Sequence, residues 1–425
     1  MQLNELDSIL FGLNALAYVL LFVWFWYQDR CFTLRTFITL LYAGSAIFAP
    51  YAYCAIDERF YNKVMIGHLT ILPFCYLMMM YLMIFSPLLH SNLQRVTRFE
   101  ILNPRLLNAL TWVLSGVYLI TIIFSKVELM DIFSLEQLMQ NYIDTLNNTI
   151  DGFQVEVSTM ERIASILKSA TTDVVLLLLA YHIIQRHRWG ILAMTVCLGY
   201  NIISSLSVGQ RAVILEIIMS VIFIFLAIRF SMEEKPRRFL TIGLIGLGSF
   251  TLVAFGAITF ARFADRDNTV MQYVMTYYSE SWYIFNNHGL DPGGCRYGDF
   301  TAPLVRRAMG KPCTKTMFDS IDSFPTMRTN CSVFNTVVGD FTMDFGVLWT
   351  FVIFSLYAGL MHRELREADP ESFPIQKLLL VILAWRIASL GYIAFSYRGI
   401  GGNLQIVTDL ILYVILSRNY VLNPR

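Results

Sequence analysis

The sequence predicts an all-α polytopic membrane protein. Apolar residue types fill 56% of its 425 positions and charged types only 15%, where a soluble domain carries about a quarter charged residues. The mean hydropathy is +0.55. The apolar residues also gather in runs of roughly 20, the length that crosses about 30 Å of hydrocarbon. Disorder, coiled coil, collagen and a soluble multidomain enzyme are excluded on the same grounds. Net charge is +1, so overall charge selects no partner, and nothing marks a nucleic-acid ligand.

Eleven runs qualify, near 9–27, 34–54, 64–86, 107–124, 171–185, 190–207, 212–228, 239–260, 337–360, 378–395 and 403–417. The fifth is short, and the upstream stretch 157–169 is positioned to extend its helix. The sixth and seventh are split only by 208–211, which reads as a tight helical hairpin. The chain is expected to form a single integral membrane domain, 1–425, with two long outer segments. The first, 125–171, looks amphipathic and helical through 135–146. The second, 261–336, lies between spans eight and nine and is the obvious place for chemistry. Internal repeats and low-complexity tracts are not evident, and the paired broken repeats common in transporters are not visible in the pattern.

Orientation follows from the basic residues of short loops. One side holds Arg30 and Arg35, then Arg95, Arg98 and Arg105, then Arg186 and Arg188, then Arg229, Lys235, Arg237 and Arg238, then Arg363, Arg366 and Lys377. The other side holds Arg59 with Lys63, then Arg211 alone and Arg398 alone. The N-terminus is therefore expected outside and the C-terminus in the cytoplasm. With no basic n-region or small-residue cleavage site, the first run is expected to be a true span.

Seven cysteines include Cys295, Cys313 and Cys331 in the long second segment. An oxidising compartment permits Cys295–Cys313 or Cys313–Cys331. No CxxC or Cys/His cluster is present, so neither a structural zinc nor a cofactor is expected.

The positive-inside bias makes outer arginines informative. Arg211 follows Gly209 and Gln210 at the hairpin tip. Arg262 and Arg266 follow the eighth span, and Arg398 lies in a glycine-rich turn before the last. Arg306 and Arg307 add to the long loop, and Arg386 lies inside the tenth span, where a charge is functional by default. Guanidinium groups bind phosphate oxygens bidentately and keep their charge. Converging at a membrane surface, they suit a lipid-carried diphosphate. The alternative is interfacial snorkelling with ion pairs to carboxylates such as Asp265, Asp267, Asp340 and Asp409.

Three further sets bear on chemistry. His288 falls in the long loop, as a general base or as a loop-capping side chain. Asp340 and Asp344 are four apart and share one helical face. They can bind a cation, pair with arginines or act as base. Tyr277, Tyr278 and Trp282 belong to an aromatic helical face, which either stacks on sugar rings or anchors a helix at the interface.

These elements together resemble the Wzy-type O-antigen and capsular polysaccharide polymerases. The resemblance rests on Gly209 and Arg211 at a hairpin, Ala261-Arg262-Phe263 at the start of the long loop, and Asn335-Thr336 with Thr342-Met343-Asp344-Phe345-Gly346 at its end. It covers the chain from about residue 203 to 398. It implies a GT-C-like, inverting, metal-independent glycosyltransferase of the bacterial inner membrane, with its active site facing the periplasm. Such an enzyme joins undecaprenyl-diphosphate-linked oligosaccharide repeat units. Arg211, Arg262, Arg266 and Arg398 would hold the diphosphate, and Tyr277, Tyr278 and Trp282 the glycan. His288, Asp340 and Asp344 are the catalytic candidates, with the base left open. Membrane lipid and a chain-length regulator are the implied partners. Two other readings stand beside it: a flippase or transporter of lipid-linked or anionic saccharides, and an O-antigen ligase.

Overall fold

The computed structural model describes residues 3–55, 67–124, 159–207, 211–263, 270–314, 317–329, 333–366 and 369–418. The protein is an all-α membrane protein. Seven described helices are long and apolar enough to cross a bilayer. They are α1 (Glu5–Asp29), α2 (Leu34–Cys54), α3 (Ile71–Leu89), α4 (Pro104–Phe124), α8 (Arg211–Ile228), α13 (Thr336–Arg366) and α15 (Gly399–Ser417). Between them come α5 (Thr159–Ala170), α6 (Thr172–Gln185), α7 (Arg188–Ser207), α9 (Glu234–Phe263), α10 (Val270–His288), α11 (Pro303–Ala308), α12 (Met317–Ser323) and α14 (Lys377–Ser389). The expected extension of the fifth run is present as α5, separated from α6 by Thr171 alone. The expected helix at 135–146 lies outside the described residues.

The chain divides into two compact units. The first comprises Met1–His90, Thr259–Arg363 and Arg386–Asn403, and the second Ser91–Ile258, Glu364–Trp385 and Leu404–Arg425.

In the first unit, α1, α2, α3 and α10 share an aromatic core. Trp282 is fully buried, its ring centroid 5.1 Å from Tyr18 and 5.8 Å from Tyr81. Tyr42 packs edge-on to Tyr81 at 4.7 Å and to Phe85 at 4.6 Å. Such pairs add to the area term at about 0.5–1.5 kcal/mol each. Trp282 Nε1 donates to Ser45 Oγ (2.8 Å), and Tyr278 Oη to the Leu41 carbonyl (2.7 Å). That close approach depends on Gly44, where a Cβ would come 2.9 Å from Tyr278 Oη. The α1–α2 turn is closed by an ion pair of Asp29 with Arg35, both buried, in which Arg35 Nε donates to Asp29 Oδ2 at 2.8 Å.

In the second unit, α4 is joined to its neighbours by polar contacts. Asn201 Nδ2 of α7 donates to Tyr118 Oη (3.0 Å), and Thr111 of α4 hydrogen-bonds His182 Nε2 of α6 (2.8 Å). Phe99–Glu100 (β1) and Phe373–Pro374 (β2) pair in parallel. Trp385 stacks on Phe223 at 4.4 Å and donates to Ser220 Oγ (3.1 Å).

Within the long segment 261–336, α10 packs along α2, and α11 and α12 follow it. Two expectations need correction. The tenth run, expected to 395, stops as a helix at Ser389. Its next carbonyls are used elsewhere, since Gly391 O accepts from the Val337 N–H (2.7 Å) and Ile393 O from the Thr336 N–H (3.0 Å). Cys295 and Cys313 are free thiols, the Cys313 Sγ lying 3.4 Å from the Pro303 carbonyl. Cys331 lies outside the described residues.

Candidate functional site

The site is built on a broken helix. α13 is helical from Thr336, but Gly346 within it has φ 79° and ψ 167°. Only glycine takes that conformation without a Cβ penalty. The chain therefore re-aims between a first segment, 336–345, and the remainder to Arg366. The first segment begins beside Tyr81, in the middle of α3, whose hydroxyl shares a hydrogen bond with Thr336 and donates to the Gly391 carbonyl (3.1 Å). Non-helical backbone at membrane depth needs internal partners, and 336–337 and 391–393 supply them to each other.

Asp344 anchors the preceding loop. Its Oδ1 pairs with Arg296 Nε at 2.8 Å, and its Oδ2 accepts from the Thr301 N–H (2.6 Å), the Thr301 hydroxyl (2.7 Å) and the Phe300 N–H (3.2 Å). Both side chains of the ion pair are shielded, at 3% and 0% exposure. Asn403 fixes the same loop from α15: its Nδ2 donates to the Thr301 carbonyl (2.9 Å) and the Tyr397 carbonyl (3.0 Å). The Gly399 N–H donates to the Phe300 carbonyl at 3.1 Å.

Phe300, thus held, carries two guanidinium groups: Arg296 Cζ lies 4.7 Å and Arg398 Cζ 5.2 Å from its ring centroid. Arg296 is buried and Arg398 exposed. Asp340, one turn before Asp344, is buried in the positive field of both. Its Oδ2 accepts the Phe395 N–H at 2.8 Å. The arrangement sets an exposed cation beside a buried carboxylate that has one backbone donor. It suits an anionic leaving group next to a proton acceptor.

Glu280, on α10, is buried close by, with its carboxyl accepting the Phe334 N–H. Burial pushes this carboxyl up to about 8, a rise the Phe334 hydrogen bond only partly offsets. At neutral pH it keeps its proton and can donate a hydrogen bond. Neighbouring Asn335 is 1% exposed, and neither its Oδ1 nor its Nδ2 has a hydrogen-bond partner among the described residues.

The sequence-derived residues divide sharply. Arg398 and Asp340 come together. Asp344 is on the same face but is a structural clamp, because its oxygens are already engaged by Arg296, Phe300 and Thr301. Tyr278 and Trp282 do not present a sugar platform: Trp282 is wholly interior, and the Tyr278 hydroxyl is committed to Leu41. Tyr277 is 44% exposed, its ring centroid 5.9 Å from that of Phe334. His288 is buried at the last turn of α10, where its neighbours Asn286 and Asn287 bind Thr70 and Gly67. Arg386 is also buried, on α14. Arg211 opens α8 and Arg262 lies in the last turn of α9; their side chains, and all of Arg266, fall outside the described residues. Arg306 serves its own loop, donating to the Pro312 carbonyl (2.7 Å) and the Arg296 carbonyl (2.7 Å).

No family model, curated protein or solved structure matches the chain. Function rests on the geometry of these residues. Sequence reasoning missed Arg296, Glu280 and Phe300. The signal for Arg296 was its place in Cys295-Arg296-Tyr297, in the same arginine-bearing segment as Arg306 and Arg307. Glu280 was hidden inside the aromatic run, where its neighbours drew the eye to stacking.

Proposed function

We propose that the chain is a membrane glycosyltransferase that polymerises undecaprenyl-diphosphate-linked oligosaccharide repeat units. On this reading it is an eleven-span, GT-C-like protein of the bacterial inner membrane, and its site faces the periplasm. The observation that carries the proposal is exposed Arg398, its guanidinium over the Phe300 ring, acting through its field on buried Asp340. A sugar hydroxyl of the incoming unit attacks the anomeric carbon of the growing chain. The new glycosidic bond forms as the bond from that carbon to the diphosphate oxygen breaks, which inverts the centre. Asp340 takes the hydroxyl proton. Arg398 neutralises the charge gathering on the diphosphate, with Arg262 and Arg266 proposed as further contacts. Tyr277 is the remaining stacking surface for glycan.

The test is chain growth by purified protein on lipid-linked repeat units. A ladder of products that is lost with Asp340→Asn and Arg398→Ala supports the proposal. Full growth by both variants defeats it.

A second reading has its own observation. The broken α13 and the irregular 390–398 segment beside the middle of α3 are features of transporters, whose discontinuous helices line substrate sites. A flippase for lipid-linked or anionic saccharides predicts movement of substrate across vesicles with no new glycosidic bond. An O-antigen ligase predicts en bloc transfer to lipid A core in place of a ladder.

A further inference from the structure

A polar cluster on α10 and at the start of α13 is not used by the reaction above. Glu280 stands one turn after Tyr277, is 8% exposed and accepts the Phe334 N–H. Tyr283 follows one turn later and is fully buried. Its hydroxyl lies within the electrostatic reach of Glu280 and has no hydrogen-bond partner among the described residues. Asn335, next to Phe334, is 1% exposed. Its amide lies against Gly339, where a Cβ would come 2.6 Å from the Asn335 Cγ, and Asp340 is the residue after that. Neither end of the amide is bonded among the described residues.

Such an arrangement is unfavourable to keep. A buried amide with an idle donor and an idle acceptor has lost its hydration without replacement. Thr336 adds to this, because its φ of 67° is a left-handed conformation that β-branched residues avoid. The fold holds it there all the same. The Thr336 hydroxyl accepts the Gly339 N–H (2.9 Å), and the Thr336 N–H donates to the Ile393 carbonyl (3.0 Å). Strain and unsatisfied polar groups on adjacent residues gather where a ligand is gripped. Here they open the turn that leads to Asp340.

The cluster borders two rings, exposed Tyr277 and half-buried Phe334, in contact with each other. A ring to stack on, with an amide, a phenol and a carboxyl beside it, matches the mixed apolar and hydroxylated surface of a sugar. None of these groups carries a positive charge, so the set suits a neutral sugar and disfavours an acidic one.

We propose that Asn335, Glu280 and Tyr283 are the hydrogen-bonding half of a subsite for a neutral sugar, with Tyr277 as its stacking face. That this sugar belongs to the incoming repeat unit rests on the glycosyltransferase reading above. Entry requires the Phe334 ring to turn aside.

The full chain in nonionic detergent is mixed with the methyl glycosides of glucose, galactose, mannose and N-acetylglucosamine, and separately with methyl glucuronide, and saturation-transfer NMR is recorded. At least one neutral glycoside is expected to gain signal, with methyl glucuronide weaker by about fivefold or more. Asn335→Leu, close in shape, is expected to lower that signal about fivefold, the scale of a lost hydrogen bond or two. It should also keep or raise the melting temperature, because no bond within the fold is removed. No signal from any neutral glycoside with the unaltered protein overturns the proposal, and that arm depends on no variant. An equal signal from methyl glucuronide, or an unchanged signal in Asn335→Leu, overturns it too. So does a lowered melting temperature in that variant, which would make the amide part of the fold, completed by ordered water. Asn335-dependent sugar binding in a protein that builds no glycan would sink the polymerase reading and leave this subsite standing. Chain growth without any sugar signal would do the reverse.

Discussion

Asp344 and Asp340 sit one turn apart on the first segment of α13, yet their surroundings differ atom by atom. Asp344 meets a guanidinium, two backbone N–H groups and a hydroxyl. Asp340 meets one backbone N–H, and the arginines near it act through their field. A carboxylate held by a buried ion pair and by three donors on one oxygen is a fastener. One left with spare lone pairs beside an exposed cation can exchange a proton. Equal spacing along the sequence made the two look alike.

The largest expected effect tests the fastener. Asp344→Ala leaves Arg296 buried without its partner, a change of about 3–5 kcal/mol, and should lower the midpoint of thermal unfolding sharply or prevent recovery of folded protein. Retention of wild-type stability would erase the contrast. Asp340→Asn should fold normally and lose about 10²–10⁴-fold in turnover. Arg398→Ala should lose about 10²-fold, the scale of removing one preorganised stabiliser of developing charge, with a smaller loss for Arg398→Lys. In Glu280 the folded chain holds a proton up to about pH 8, whereas an unfolded carboxyl releases it near pH 4.3. Stability should therefore fall as pH rises through that window. Glu280→Gln should flatten the profile of melting temperature between about pH 5 and pH 8. The smallest effect is expected from Tyr277→Ala, a few-fold rise in KM for the lipid-linked unit with little change in kcat.

Much of the fold was legible because spanning helices announce themselves by length and apolarity alone. The runs near 9–27 and 34–54 needed nothing beyond hydropathy. The places where reading failed are those where backbone partners come from far along the chain. The stop at Ser389 has no proline or charge to mark it; it follows from carbonyls turning to Thr336 and Val337. Arg398 was legible as a cation on the sparsely charged side. Its companion Asp340 could be placed on a face but not told from Asp344, because what separates them is the loop 296–301 folding back onto α13. Trp282 was misleading for a related reason: an aromatic row looks the same whether it faces sugar or the inside of a bundle.

That long-range exchange bears on how the protein is made. The amide hydrogens of Thr336 and Val337 are bonded to carbonyls more than fifty residues later in the chain. Inside a bilayer a bare amide is penalised by several kcal/mol. The opening segment of α13 therefore cannot settle while the ribosome is still completing α14. It waits for Gly391 and Ile393 to emerge, so that the proposed reaction centre is among the last parts of the molecule to set during biosynthesis.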